Sequence, residues 1–88
     1  MMPVTVYTKD HCPYCEKAKH LLNKLNIAFE TKKVGVDVTR EQLLEVAPNA
    51  RTVPQIVIGG KVIGGFVELE QYIDDTGFNG TGYGNISF

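Results

Sequence analysis

Two cysteines three positions apart, in Cys12-Pro13-Tyr14-Cys15, stand between a short β-like run and a stretch of strong helical period. That placement constrains the chain more than any other feature, because two thiols at the start of a helix have few uses. A cysteine at a helix N-terminus faces unpaired backbone N–H groups and the positive end of the helix dipole, and both favour thiolate over thiol. A free cysteine of pKa about 8.5 is only a few per cent ionised at pH 7, whereas one lowered to about 5 is almost fully ionised. Cys12 therefore reads as a nucleophile. Cys15 lies nearly one helical turn further on, where i,i+3 neighbours approach within the Cα separation of about 4.4–6.8 Å that a disulfide needs. The pair can open and close reversibly.

The 88 residues, 43% hydrophobic and 22% charged, suit one compact domain with a small core that needs no disulfide staples. A formal net charge of −1 argues against a nucleic-acid partner gripped through many phosphates. No apolar run reaches membrane-spanning length, and Met1-Met2-Pro3 leads straight into Val4-Thr5-Val6-Tyr7 without a leader pattern, so a cytoplasmic protein is expected. Two cysteines do not make the multi-bridge framework of a small secreted domain; they read as working thiols in a reducing compartment.

Residues 4–8 are β-branched and aromatic and read as a first strand. Pro13 suits the first helical turn, and Ala18, Leu21, Leu22 and Leu25 follow at i, i+3, i+4 and i+7, with Asn26 as the stop. Residues 27–34 alternate imperfectly and read as a second strand, parallel to the first through a right-handed crossover. Thr39 to Gln42 has the capping-box pattern, opening a short helix that carries Leu43, Leu44, Val46 and Ala47 and ends near Pro48. Ile56-Val57-Ile58, Gly59-Gly60 and Lys61-Val62-Ile63 read as an antiparallel hairpin with a two-residue turn. After Gly64-Gly65, helical spacing resumes at Phe66, Leu69, Tyr72 and Ile73. The order β-α-β-α-β-β-α is that of a single α/β layer structure. Residues 1–74 form the expected domain. Residues 75–88, rich in Gly, Asn, Thr and Ser, read as a flexible tail in which Phe78, Tyr83 and Phe88 are the side chains able to pack back.

Three motifs, each at a structural junction, carry a family resemblance: Cys12-Pro13-Tyr14-Cys15 after a strand, Thr52-Val53-Pro54 before a strand, and Gly64-Gly65 opening the last helix. Over residues 3–74 the chain resembles the dithiol glutaredoxins of the thioredoxin-like superfold. That resemblance implies a four-stranded mixed sheet flanked by three helices. It also implies a glutathione-dependent thiol-disulfide oxidoreductase that reduces protein disulfides and glutathione mixed disulfides, with ribonucleotide reductase among its acceptors. Cys12 would attack, Cys15 would resolve, and glutathione would be a co-substrate, with no tightly bound cofactor. Two cysteines alone argue against a structural metal site, and the small size with no evident apolar patch makes a monomer the expected state. Pro54 would be cis and would set the Val53 backbone beside the site. Glutathione would place its glycine carboxylate near Lys9 and Arg51, its backbone along Val53 in the Thr52-Val53-Pro54 segment, and its γ-glutamyl carboxylate over the N–H groups at Phe66 and Val67, after Gly65. Tyr14 would wall the groove.

One departure stands out. Family members usually carry Asp or Ser where this chain has Val67, and one hydrogen bond fewer to a charged group costs about 1.5–3 kcal/mol, or roughly tenfold to a hundredfold in affinity. Glu68 is no replacement, since a carboxylate repels the anion. Other classes remain to be separated: a thioredoxin-like donor reduced by a flavoprotein reductase, although the chain has no tryptophan; a zinc site completed by His11 or His20; and an iron–sulfur cluster bridging two subunits through Cys12 and Cys15. His11, directly before Cys12, is a candidate proton shuttle; His20 reads as surface.

Overall fold

The computed structural model of the chain describes residues 3–79. Its elements are β1 (Val4–Thr8), α1 (Pro13–Lys24), β2 (Glu30–Lys33), α2 (Arg40–Val46), β3 (Gln55–Ile58), β4 (Lys61–Gly64) and α3 (Phe66–Thr76). The four strands form one mixed sheet in the order β2-β1-β3-β4, with β1 and β2 parallel and the other neighbours antiparallel. Alternation along the two central strands divides the core. Val4, Val6, Ile56 and Ile58 pack with Ala18, Leu22 and Leu69 of α1 and α3, while Tyr7 and Val57 pack with Leu43 and Ala47 against α2. Both faces of β3 are covered, which is why Ile56-Val57-Ile58 is an unbroken apolar run.

α1 ends in a Schellman arrangement. Asn26 takes a left-handed φ of 58°, its N–H donates to the Asn23 carbonyl at 3.0 Å, and the Ile27 N–H donates to the Leu22 carbonyl at 2.9 Å. This closure corrects two expectations. Leu25 becomes the C-cap and stays 38% exposed, and Ile27 folds under the helix into the core in its place. With its N–H committed to Leu22, Ile27 cannot join the ladder, so β2 begins at Glu30 and not at 27. α2 opens on the full capping box: Thr39 Oγ1 accepts the Gln42 N–H at 3.0 Å and Gln42 Oε1 accepts the Thr39 N–H at 2.7 Å. The β3–β4 turn has positive φ at both Gly59 (57°) and Gly60 (83°), the signature of a two-residue primed turn.

The packed chain continues past residue 74. α3 runs to Thr76, Gly77 caps it with φ 66°, and Phe78 is 2% exposed in the core beside Tyr72, ring centroids 6.0 Å apart. Glycine-rich composition concealed this because the break at Gly77 is a helix cap, after which one aromatic returns to the core. Tyr83, Phe88 and the rest of 80–88 lie outside the described residues.

Candidate active site

β1 carries the chain out of the sheet to Lys9, Asp10 and His11, where His11 adopts φ 55° and turns the backbone so that Cys12 caps α1. The Cys15 N–H donates to Cys12 Sγ at 3.2 Å, so a backbone dipole points at the sulfur, and Pro13 at the first helical position sacrifices no bond. Cys12 and Cys15 are joined as a disulfide with Cα atoms 5.2 Å apart. Cys12 keeps 8% of its surface and Cys15 none. An external sulfur can therefore reach only Cys12, while Cys15 is held behind it to close the ring.

Facing this disulfide is the turn before β3. The Val53–Pro54 peptide is cis, and the Val53 carbonyl oxygen lies 3.6 Å from Cys12 Sγ. In the disulfide that sulfur has no proton, so the approach is a packing contact; in the thiol form it becomes an S–H···O interaction. Gly65 stands beside the same turn, since a Cβ there would sit 3.6 Å from the Pro54 carbonyl oxygen.

The remaining candidates distribute around this centre. Lys9, Arg51, Thr52 and Val53 line one depression of about 240 Å³ with α2 behind it. Lys9 also lines a larger one of about 610 Å³ with His11, Cys12, Pro13, Lys19 and Lys33. Tyr14 is exposed, its ring 6.3 Å from that of Phe66. Val67 is 63% exposed and lines a separate depression with Val62, Ile63 and Tyr72. Lys9 thus shares one depression with Arg51, Thr52 and Val53 and another with Cys12, Tyr14 packs beside Phe66, and Val67 lines neither of those depressions.

Two features escaped sequence reasoning. Lys33 Nζ lies 2.8 Å from Asp10 Oδ1, and the hydrogen bond and charge of Asp10 raise the Lys33 pKa above its ordinary value. No local signal announces this pair, which exists because the parallel register sets Thr8 opposite Lys33. The second is Glu68, whose Oε1 accepts the Gly65 N–H at 2.8 Å. This is half a capping box, since Gly65 has no side chain to return the bond. A glutamate three positions after a glycine N-cap was the available signal. Its carboxylate therefore sits at the N-terminus of α3, where an anion was expected to bind.

Among the described residues no three His, Cys, Asp or Glu side chains gather as a metal site requires, and no helix is long and apolar enough to cross a membrane. A mixed sheet in this order, a Cys-x-x-Cys capping α1 and a cis-proline facing it define the thioredoxin-like thiol-disulfide oxidoreductases. Residues 4–63 match the Glutaredoxin family profile, and the chain belongs to that family. Among its relatives is a glutaredoxin of Neisseria meningitidis, 37% identical over 82 residues, covering 91% of this chain and 95% of that protein. The hybrid peroxiredoxin hyPrx5 of Haemophilus influenzae is 44% identical over 69 residues, 78% of this chain, which spans only 28% of that longer protein. A buckwheat glutaredoxin solved as its glutathione complex superposes with TM-score 0.73 at 32% identity, covering 84% of this chain and 70% of that one.

Proposed function

We propose that this thiol-disulfide oxidoreductase is a monomeric, cytoplasmic glutaredoxin that takes its electrons from glutathione and reduces glutathione mixed disulfides and protein disulfides. The observation that carries the reading is the placement of Cys12 Sγ. It is reachable, capped by the Cys15 N–H, 3.6 Å from the Val53 carbonyl, and on the rim of a depression shared with Lys9. In the reduced protein the Cys12 thiolate attacks the glutathione sulfur of a mixed disulfide. The S–S bond breaks, the substrate leaves as a thiolate that takes up a proton, and Cys12 carries glutathione. A second glutathione thiolate then attacks that sulfur, releasing glutathione disulfide and regenerating Cys12. With a protein disulfide, Cys12 forms the mixed disulfide with the substrate and Cys15 displaces it. This leaves the Cys12–Cys15 disulfide, which two glutathione molecules reduce.

Lys9 and Arg51 are the cations suited to the glycine carboxylate, the Val53 backbone to the peptide, the N–H groups of Phe66 and Val67 to the γ-glutamyl end, and Tyr14 to the wall. The glutathione complex of the buckwheat relative supports glutathione as the ligand, and the residue roles are carried over from the family resemblance. By family resemblance the acceptors include ribonucleotide reductase. A second reading, a donor reduced by a flavoprotein reductase, is favoured by one observation: the Glu68 carboxylate occupies the Gly65 N–H beside an unhelpful Val67.

The test is steady-state reduction of a glutathione mixed disulfide, with glutathione and glutathione reductase as electron source. Wild type and Cys15→Ser turn over and Cys12→Ser does not. A silent wild type whose disulfide is reduced by a thioredoxin reductase sinks the glutathione reading in favour of the second.

A further inference from the structure

Beside the disulfide, α1 and the start of α3 leave an open groove of about 340 Å³. Leu21 and Phe66 make its floor, and Lys17, His20 and Lys24 stand on its rim. Positions 17, 20, 21 and 24 follow i, i+3, i+4 and i+7, so they form one stripe of α1. Tyr14 continues the stripe towards the active site, with the Lys17 ammonium 4.9 Å from its ring centroid. From Tyr14 to Lys24 the stripe is about 15 Å long at the helical rise. It begins beside Cys12 and leads away from it.

The charge on this track is not that of the molecule. The chain carries a net −1, yet α1 holds three lysines against one glutamate, while α3 holds four acids and no lysine or arginine. The single acid on the groove, Glu16, is engaged 2.6 Å from Lys19 Nζ. An apolar floor with a cationic rim is complementary to an apolar side chain flanked by carboxylates.

We infer that this groove docks the segment flanking the disulfide of a protein substrate, and that the segment is acidic with one apolar anchor. The inference rests on the proposed reduction of protein disulfides and adds the class of protein selected. Lys17 and Lys24 are about 10.5 Å apart along the helix, a span an extended chain covers in about three residues. The matching ligand is therefore an extended peptide with carboxylates about three residues apart and an apolar side chain between them, seated on Leu21 and Phe66. Each rim-exposed charge pair is worth about two- to fivefold in affinity and weakens with salt.

The test is an amide chemical-shift titration of the full chain with a short synthetic peptide bearing one phenylalanine between glutamates and no cysteine, and with its lysine counterpart. The glutamate peptide shifts the amides of Lys17, Leu21, Lys24 and Phe66 and loses affinity as salt is raised; the lysine peptide does not shift them. Lys17→Gln with Lys24→Gln weakens the glutamate peptide about tenfold, and glutamine keeps the helix propensity of lysine. Equal binding of both peptides, no shifts at the groove, or a double variant that binds like wild type overturns the inference. Turnover of a small glutathione mixed disulfide by wild type and Lys24→Gln, expected to be equal, reports separately on the reductase reading. If that turnover is absent while the glutamate peptide still maps to the groove, the docking surface stands and the reductase reading falls.

Discussion

Gly64 and Gly60 both have positive φ, 123° and 83°, yet their surroundings differ. A Cβ on Gly60 meets nothing within 4 Å, whereas one on Gly64 stands 3.0 Å from both Cβ and Cγ of Glu68. Alanine at either site reduces unfolded-chain entropy by a similar amount, and that contribution cancels in the comparison. Gly60→Ala then carries only the backbone cost of a conformation L-residues avoid, about 1–2 kcal/mol. Gly64→Ala carries at least that plus an overlap with an atom fixed to the first turn of α3, about 1–3 kcal/mol more. Relief requires α3 to shift or Glu68 to leave the Gly65 N–H. Urea unfolding of both oxidised variants by circular dichroism gives the two free energies, and Gly64→Ala is the lower by about 1–3 kcal/mol. Equal losses would refute the close-approach argument and leave only the backbone term. The same displacement alters the N-terminus of α3, so Gly64→Ala, and not Gly60→Ala, also changes the KM for glutathione.

Phe78→Ala destabilises the domain by about 3–5 kcal/mol, which a urea midpoint near that of wild type would contradict. Val67→Ser restores a side-chain donor at the second position of α3 and lowers the KM for glutathione by about tenfold or more; an unchanged KM counts against a γ-glutamyl site there. Thr39→Ala removes one bond of the α2 capping box and costs about 1 kcal/mol, read from thermal unfolding. Asp10 raises the pKa of Lys33, so the pair stabilises the fold below the unfolded lysine value of about 10.4 and loses that contribution as pH climbs through the folded one. The small gap in urea midpoint between wild type and Lys33→Gln therefore closes at strongly alkaline pH, and a gap that widens there contradicts the pair.

Much of this was legible because its causes are local. The strand before Cys12, the period of α1, the Thr39–Gln42 box and the Gly59-Gly60 turn all follow from neighbours within a few residues. What misled was the way two helices end: Ile27 reads as the start of a strand until its N–H is seen bonded to Leu22, and Phe78 reads as tail until Gly77 is seen as a cap that returns it to the core. Glu68 was named for its charge, but its hold on the Gly65 N–H emerged only once α3 had a defined first turn.

By itself the sequence determined the element order, the cysteine pair at a helix start and the family. The tertiary structure decided which cysteine keeps some surface, how close Val53 comes to it, that Asp10 meets Lys33, and that a cationic groove leads away from the site. Hydrogen-bonding period and turn chemistry are written between near neighbours. Distances across a sheet exist only when the register and the packing of helices on its two faces have been set.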